Sequence, residues 1–285
     1  MAKIGFLVDS LARIPAELAE QYRIESIPLR VLFGEESFRE LIDISDEEFF
    51  QRLKQARQLP TTSQPSPGEF VEAYRRIAQR ADSIIAPVLA ASLSGTYSAA
   101  TQAAQMVAEE GIRVTVIDTR SAFMGCGMMA LAGARAAAGG ASHEECVAVI
   151  ERLIPRMRIL LVVDTLEYLY KGGRIGGASM ILGSMLQVKP ILALRDGVVV
   201  PVERVRTKRK AIDRVVELMA ADVGTRPYRC AIGHAAALDE ALALGREVQG
   251  RLPNFVEFHM STVGPVIATH TGPGTLGLVY YVEEP

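Results

Sequence analysis

Short apolar runs alternate with amphipathic stretches through the first half of the chain, the pattern of strands followed by helices. Residues 3–9 read as a strand, and Pro15 at a first helical position opens a helix through Tyr22. A second extended run covers 24–33 and turns at Gly34-Glu35-Glu36. Ser45 with Glu48, Ser66 with Glu69 and Ser142 with Glu145 have capping-box spacing. They open one helix to about Gln58, a second with Phe70, Tyr74 and Ile77 on one face, and a third to Leu153. Pro60 and Pro65 bracket four polar residues, which predicts a polar loop over 60–67 without regular structure. Residues 83–88 and 113–118 read as buried strands, the first followed by a helix from about Tyr97 to Glu109 and the second by a Gly-Met-Ala helix. This order implies a mostly parallel sheet covered on both faces. Ligands of such sheets bind at the carboxyl ends of the strands, where Asp9-Ser10, residues 89–94 and Asp118-Thr119 fall.

After about Pro155 the texture changes. A strand over 158–163 leads into the Gly-rich 171–177 and a short helical piece near 180–185. Residues 189–194, the Asp196-Gly197 turn and residues 198–206 read as a hairpin, because Asp-Gly between β-branched runs is the strongest local hairpin signal. Helices near 208–221 and 239–251 alternate with strands at 228–233, 254–259, 266–270 and 276–283. The fold class is therefore α/β, with two domains. A mostly parallel sheet domain (1–155) is expected to pack against an α+β domain (156–285) with a mixed sheet, a hairpin and a C-terminal HTGPG loop. Their polar loops are expected to meet at a cleft.

Composition narrows the function. The 31 Lys and Arg against 33 Asp and Glu leave a net charge of −2, with no electrostatic footprint for nucleic acid. The longest nearly apolar stretch, 123–134, is shorter than the ~20 residues a membrane helix needs. The opening MAKIGFLVDS enters a strand at once, with no signal-peptide pattern, so the expectation is a cytoplasmic protein without a transmembrane segment. Cys126, Cys146 and Cys230 are odd in number and set in apolar surroundings, which reads as buried reduced thiols.

Two matches to the dinucleotide fingerprint fail on context. Gly125-Cys126-Gly127-Met128-Met129-Ala130 lies inside a helix, where close packing is the better reading, and Gly272-Pro273-Gly274-Thr275-Leu276-Gly277 precedes a strand. No phosphate loop is present, and the four His have no metal spacing, so neither a nucleotide cofactor nor a metal is expected. His143 reads as solvent-facing in a helix first turn. His234 and His259 read as structural strand ends, whereas His270 closes a strand and opens a tight Gly272-containing turn, which favours a functional ring. Ser94, with Gly95 and Thr96, sits between a parallel strand and a helix. Its hydroxyl and the first helix amides suit an anion, although a plain N-cap reads equally well. Thr62 and Ser63 add hydroxyls, against the plain alternative of a rigid turn. Arg174 follows Gly172-Gly173, where backbone and ligand can approach closely. Arg206 begins a basic run through Lys210 that opposes the helix dipole unless an acidic partner lies nearby; Lys208 to Lys210 read best as a solvated helix start. Together these groups suit a carboxylate or a phosphate.

In order along nearly the whole chain, several motifs resemble the DegV family. They are Asp9-Ser10, Thr62-Ser63-Gln64-Pro65-Ser66-Pro67, Leu93-Ser94-Gly95-Thr96-Tyr97, Asp118-Thr119, Lys171-Gly172-Gly173-Arg174-Ile175, Leu182-Gly183-Ser184, Lys189-Pro190-Ile191-Leu192 and His270-Thr271-Gly272-Pro273-Gly274. The resemblance implies a two-domain, non-catalytic protein that holds one long-chain fatty acid between its domains. It implies presentation of the carboxylate to an ATP-dependent fatty acid kinase subunit, which makes the acyl phosphate for phospholipid synthesis. By that similarity Thr62 and Ser94 would hydrogen-bond the carboxylate, Arg206 and His270 would complete the polar network, and Arg174 would support the site or the kinase contact. Ala90-Ala91 departs from relatives that often carry small hydroxyl residues there. The alternative is a serine acyl hydrolase with Ser94 as nucleophile, Asp118 or Asp164 as acid and His270 as base, although the G-x-S-x-G elbow is missing. A phosphate-ligand regulator or DNA-binding factor using residues 204–210 has the least support.

Overall fold

The computed structural model describes residues 3–184 and 188–284. The chain folds as two compact units, 1–45 with 62–155, and 46–61 with 156–285. The sequence division at 155 carries no such excursion of 46–61.

In the first unit, β1 (Ile4–Asp9), α1 (Ala16–Gln21) and β2 (Ile24–Ile27) are followed by the hairpin of β3 (Arg30–Phe33) and β4 (Glu36–Arg39). The chain enters the second unit as α2 (Asp46–Gln55) and returns through β5 (Thr61–Ser63). Helix α3 (Pro67–Ala78), β6 (Ser83–Val88), α4 (Thr96–Ala108), β7 (Val114–Asp118), α5 (Met124–Ala138) and α6 (His143–Leu153) complete the unit. The sheet order β2-β1-β6-β7 is parallel throughout. Every residue of β6, and all of β1 after Ile4, is buried, as a sheet covered on both faces requires. Phe70, Tyr74 and Ile77 of α3 and Ala100, Ala103 and Val107 of α4 pack on Leu7, Ile84 and Ala86. At Gly5 a Cβ would come within 2.3 Å of Ile77, so α3 sits close on β1. A Cβ at Gly133 would meet Phe6 and Ile150, placing α5 against β1 and α6. One at Gly127 would lie 2.5 Å from the Ala12 carbonyl, so close packing explains the first G-x-G-x-x-A match.

Both Ser66 and Ser142 form complete capping boxes with Glu69 and Glu145. Two expectations are corrected. The polar loop 60–67 is not wholly irregular: Thr61–Ser63 is a short strand beside β3, in the order β4-β3-β5, with the prolines outside the paired residues. His143 is buried, with its ring nitrogens 2.8 Å from Ser83 Oγ and 2.8 Å from Thr115 Oγ1. Those partners come from β6 and β7, and burial shifts the imidazole down.

In the second unit, β8 (Arg158–Val162), α7 (Glu167–Lys171) and a 3₁₀ stretch (Gly176–Ser184) precede β9 (Lys189–Arg195) and β10 (Val198–Val205). Met185, the end of the expected helical piece, lies outside the described residues. Helix α8 (Lys208–Val223), β11 (Tyr228–His234), α9 (Leu238–Arg251), β12 (Phe255–Thr262), α10 (Gly264–Thr271) and β13 (Leu276–Val282) follow. The sheet order is β10-β9-β8-β13-β11-β12, with β11 and β12 parallel and the other pairs antiparallel, hence mixed. Asp196 and Gly197 both take positive φ, as a tight hairpin turn between β9 and β10 demands. Val215 and Met219 of α8 and Leu244 and Val248 of α9 share a core with Ile191, Ile232 and Leu278. The excursion belongs here because Phe49 of α2 is buried and Thr262 donates to the Asp46 carboxylate. The expected strand at 266–270 is instead α10. Val266-Ile267-Ala268-Thr269 is too short for periodicity to separate helix from strand, and Gly264 at φ 84° with Pro265 in the first turn starts a helix.

Candidate functional site

Strand β6 stops at Val88, and the chain crosses residues 89–95 before α4 begins at Thr96. Gly95 is the N-cap of α4 and supplies no capping side chain, so Ser94 is not the N-cap. Instead, Ser94 Oγ lies 2.9 Å from Thr96 Oγ1 and accepts the Thr96 N–H at 3.3 Å. Both hydroxyls therefore stand at the start of a thirteen-residue helix, whose first-turn amides favour an anion. A Cβ on Gly95 would come within 3.0 Å of the Gln64 side-chain amide. Gln64 directly follows β5, so the structure brings the Thr62-Ser63 end of that strand beside the Ser94-Gly95-Thr96 turn. Gln64 was not among the expected ligand-binding residues, although it stands inside the polar loop motif.

In the second unit, His270 occupies the last turn of α10 rather than the end of a strand. The helix stops at Gly272, with φ 80°, whose N–H returns to the Ala268 carbonyl. Gly274, at φ 81°, donates its N–H to Ala235, and Thr275 Oγ1 donates to the Thr271 and Gly272 carbonyls. The turn is thus hydrogen-bonded on both sides. A Cβ on Gly272 would fall 2.4 Å from the Tyr168 ring, and one on Gly172 would fall 2.4 Å from His270 Nδ1. The close approach expected at Gly172-Gly173 is therefore made by the His270 ring. Arg174 donates from Nη1 to the Gly172 carbonyl at 2.7 Å. Burial, and then the Arg174 charge, push the His270 imidazole down to about 4. At neutral pH it is uncharged, with one N–H to donate and one lone pair to accept.

Arg206 is exposed at the end of β10, just before Thr207, the N-cap of α8. The following basic run has its acidic answer: Lys208 pairs with Glu240 at 2.9 Å and lies 3.7 Å from Asp164. The structure thus groups Thr62, Ser63, Ser94, Gly95 and Thr96 in the first unit, and Arg174, His270 and Gly272 in the second. Tyr168 and Gly172 set the place of His270, and the only sequence signal for that was the glycine pair. Among the described residues no His, Cys, Asp and Glu cluster suits a metal ion, and no helix is long and apolar enough to cross a membrane.

Comparison with known proteins decides the family. Residues 3–283 match the profile of "Uncharacterised protein, DegV family". The chain belongs to the DegV family. A DegV domain-containing protein of Streptomyces coelicolor is 42% identical over 277 residues, covering 97% of each chain. Among solved structures, a DegV family protein from Thermus thermophilus, reported for its fatty acid binding, is similar at a TM-score of 0.93. It is 35% identical, over 99% of this chain and 100% of that one. DegV of Bacillus subtilis, reported as a fatty acid binding protein, aligns at a TM-score of 0.91 with 37% identity, over 99% and 100% of the two chains. The parallel sheet of the first unit and the mixed sheet of the second are those of the DegV fold.

Proposed function

We propose that this chain binds one long-chain fatty acid and presents its carboxylate to an ATP-dependent fatty acid kinase subunit. The observation that carries the reading is full-length similarity to the Thermus thermophilus and Bacillus subtilis fatty acid binding proteins. The donors agree with it. Hydroxyls of Thr62, Ser63, Ser94 and Thr96, amides at the start of α4, and a neutral His270 suit the lone pairs of a carboxylate. Arg206 is the exposed cation of the reading, and Arg174 adds to burial in keeping His270 neutral.

The tail supplies affinity. About 14 methylenes of a sixteen-carbon acid, at about 0.8 kcal/mol each, amount to roughly 11 kcal/mol before association and ordering costs. The polar groups are therefore left to set geometry for phosphoryl transfer. Thr62→Ala and Ser94→Ala are expected to slow acyl-phosphate formation by the kinase subunit about a hundredfold or more, while fatty acid binding weakens by no more than about tenfold. Equal loss in transfer and retention assays would contradict that division.

The hydrolase reading has weaker support. An imidazole held near 4 is a poor general base at neutral pH, and the Ser94 hydroxyl is engaged with Thr96. Turnover of a p-nitrophenyl ester that disappears in Ser94→Ala would restore it.

A further inference from the structure

Within the parallel sheet β6 lies between β1 and β7, and each flanking strand ends in an aspartate, Asp9 or Asp118. Both carboxylates reach across to the loop that follows β6. The Leu89 N–H donates to Asp9 Oδ2 at 2.7 Å, and the Ala91 N–H donates to Asp118 Oδ1 at 3.1 Å. Between them, the Ala90 N–H donates to the Ser121 carbonyl at 2.8 Å. Each aspartate also accepts the N–H two residues further along its own chain. Leu11 donates to Asp9 Oδ1 at 3.1 Å, and Arg120 to Asp118 Oδ1 at 2.9 Å. Three successive loop amides are thus taken before the chain reaches Ser94. The backbone at Ala90-Ala91, where the side chains offer no hydroxyl, is the part that is gripped.

We propose that Asp9 and Asp118 are positioning residues for the Ser94 loop. They fix the backbone from Leu89 to Ala91, and so set where the Ser94 hydroxyl and the first turn of α4 stand. They do this without touching the ligand. The proposal rests on the fatty acid reading above, since the group positioned is the one assigned to the carboxylate.

The two clamps differ in a way that makes them testable. Asp9 uses one oxygen for each amide and has no exposed surface. Asparagine there would turn an NH₂ against a backbone N–H and lose one bond. Asp118 uses a single oxygen for both amides, so asparagine can keep both bonds and only alanine removes them.

The test measures binding of palmitate and of methyl palmitate, a ligand without the charge, to the wild type and to Asp9→Asn, Asp118→Ala, Asp118→Asn and Ser94→Ala. Hydrogen exchange at the Leu89 and Ala91 amides is followed in the same proteins. The expected result is that Asp9→Asn and Asp118→Ala reduce the preference for acid over ester by about tenfold, toward that of Ser94→Ala. Ester binding and the Asp118→Asn protein keep wild-type behaviour, and the freed amide exchanges faster. An unchanged preference in both disruptive variants would overturn the proposal, as would equal loss of acid and ester. If the wild type binds neither ligand, the fatty acid reading itself has failed. Exchange still judges the clamp in that case, because unaltered protection at Leu89 and Ala91 would refute it. Should Asp9→Asn not fold, the contrast of Asp118→Ala with Asp118→Asn decides.

Discussion

The Ser94 loop and the His270 turn hold polar side chains by opposite means. Around Ser94, the amides of Leu89, Ala90 and Ala91 are each donated to a carboxylate or carbonyl, and the one close glycine, Gly95, faces only the flexible end of Gln64. Around His270, missing side chains do the work. Gly172 admits the imidazole, Gly272 admits the Tyr168 ring, and a Cβ on Gly274 would fall 2.0 Å from the Asp164 carboxylate. A hydrogen-bonded loop can shift by tenths of an ångström and keep its bonds, whereas a turn built on contact has no slack. The first arrangement suits a loop whose backbone is fixed by bonds that tolerate only small shifts. The second suits a single ring held in one place.

Adding one methyl group breaks the comparison most directly. Gly272→Ala combines φ 80° with a contact of 2.4 Å to the Tyr168 ring, and is expected to cost about 3 kcal/mol or more in chemical denaturation. Gly274→Ala, at φ 81° but against the end of the Asp164 side chain, is expected to cost less. A cost below about 1 kcal/mol for Gly272→Ala would show that the turn is not contact-built. Next in size is the pH dependence of the carboxylate clamp. Burial raises Asp9 from 3.8 to about 6, despite its two amide donors and with Glu40 adding to the rise. Glu40 is itself paired with Arg13 at 3.3 Å, and the Cys126 thiol of α5 also senses Asp9. The folded state therefore holds this proton more tightly than the unfolded chain. Its contribution to stability is full below about pH 4 and is lost as pH rises through about 6, a change of roughly 3 kcal/mol. Asp9→Asn lacks that slope, so the wild type should lose stability relative to the variant across pH 4 to 6, and the two curves should run parallel above it. Curves already parallel across pH 4 to 6 would contradict the assignment. Smallest is Gly95→Ala, where Gln64 can move aside, with an expected cost under about 1 kcal/mol.

Legibility in the sequence follows the range of the forces. The buried runs of β1 and β6, the capping boxes at Ser66 and Ser142 and the Asp196-Gly197 hairpin are local signals, and the structure has them where they were expected. The elements misread are those decided by distant partners. Thr61–Ser63 becomes a strand because β3 offers an edge. His143 is buried because Ser83 and Thr115, far along the chain, bind its ring. The short apolar run before His270 carries β-branched residues and reads as a strand until Gly264 and Pro265 start it as a helix. At the candidate site, the hydroxyls and the imidazole were visible as residue types in marked motifs. The packing of Tyr168 and Gly172 around His270 was not, because only the fold brings α7 and α10 together.

The most direct measurement of the central claim is organic extraction of the purified protein followed by mass spectrometry, repeated after incubation with excess palmitate. The account predicts about one long-chain fatty acid per chain, either carried through purification or taken up on addition. A protein that is reproducibly empty and remains so after incubation would contradict it.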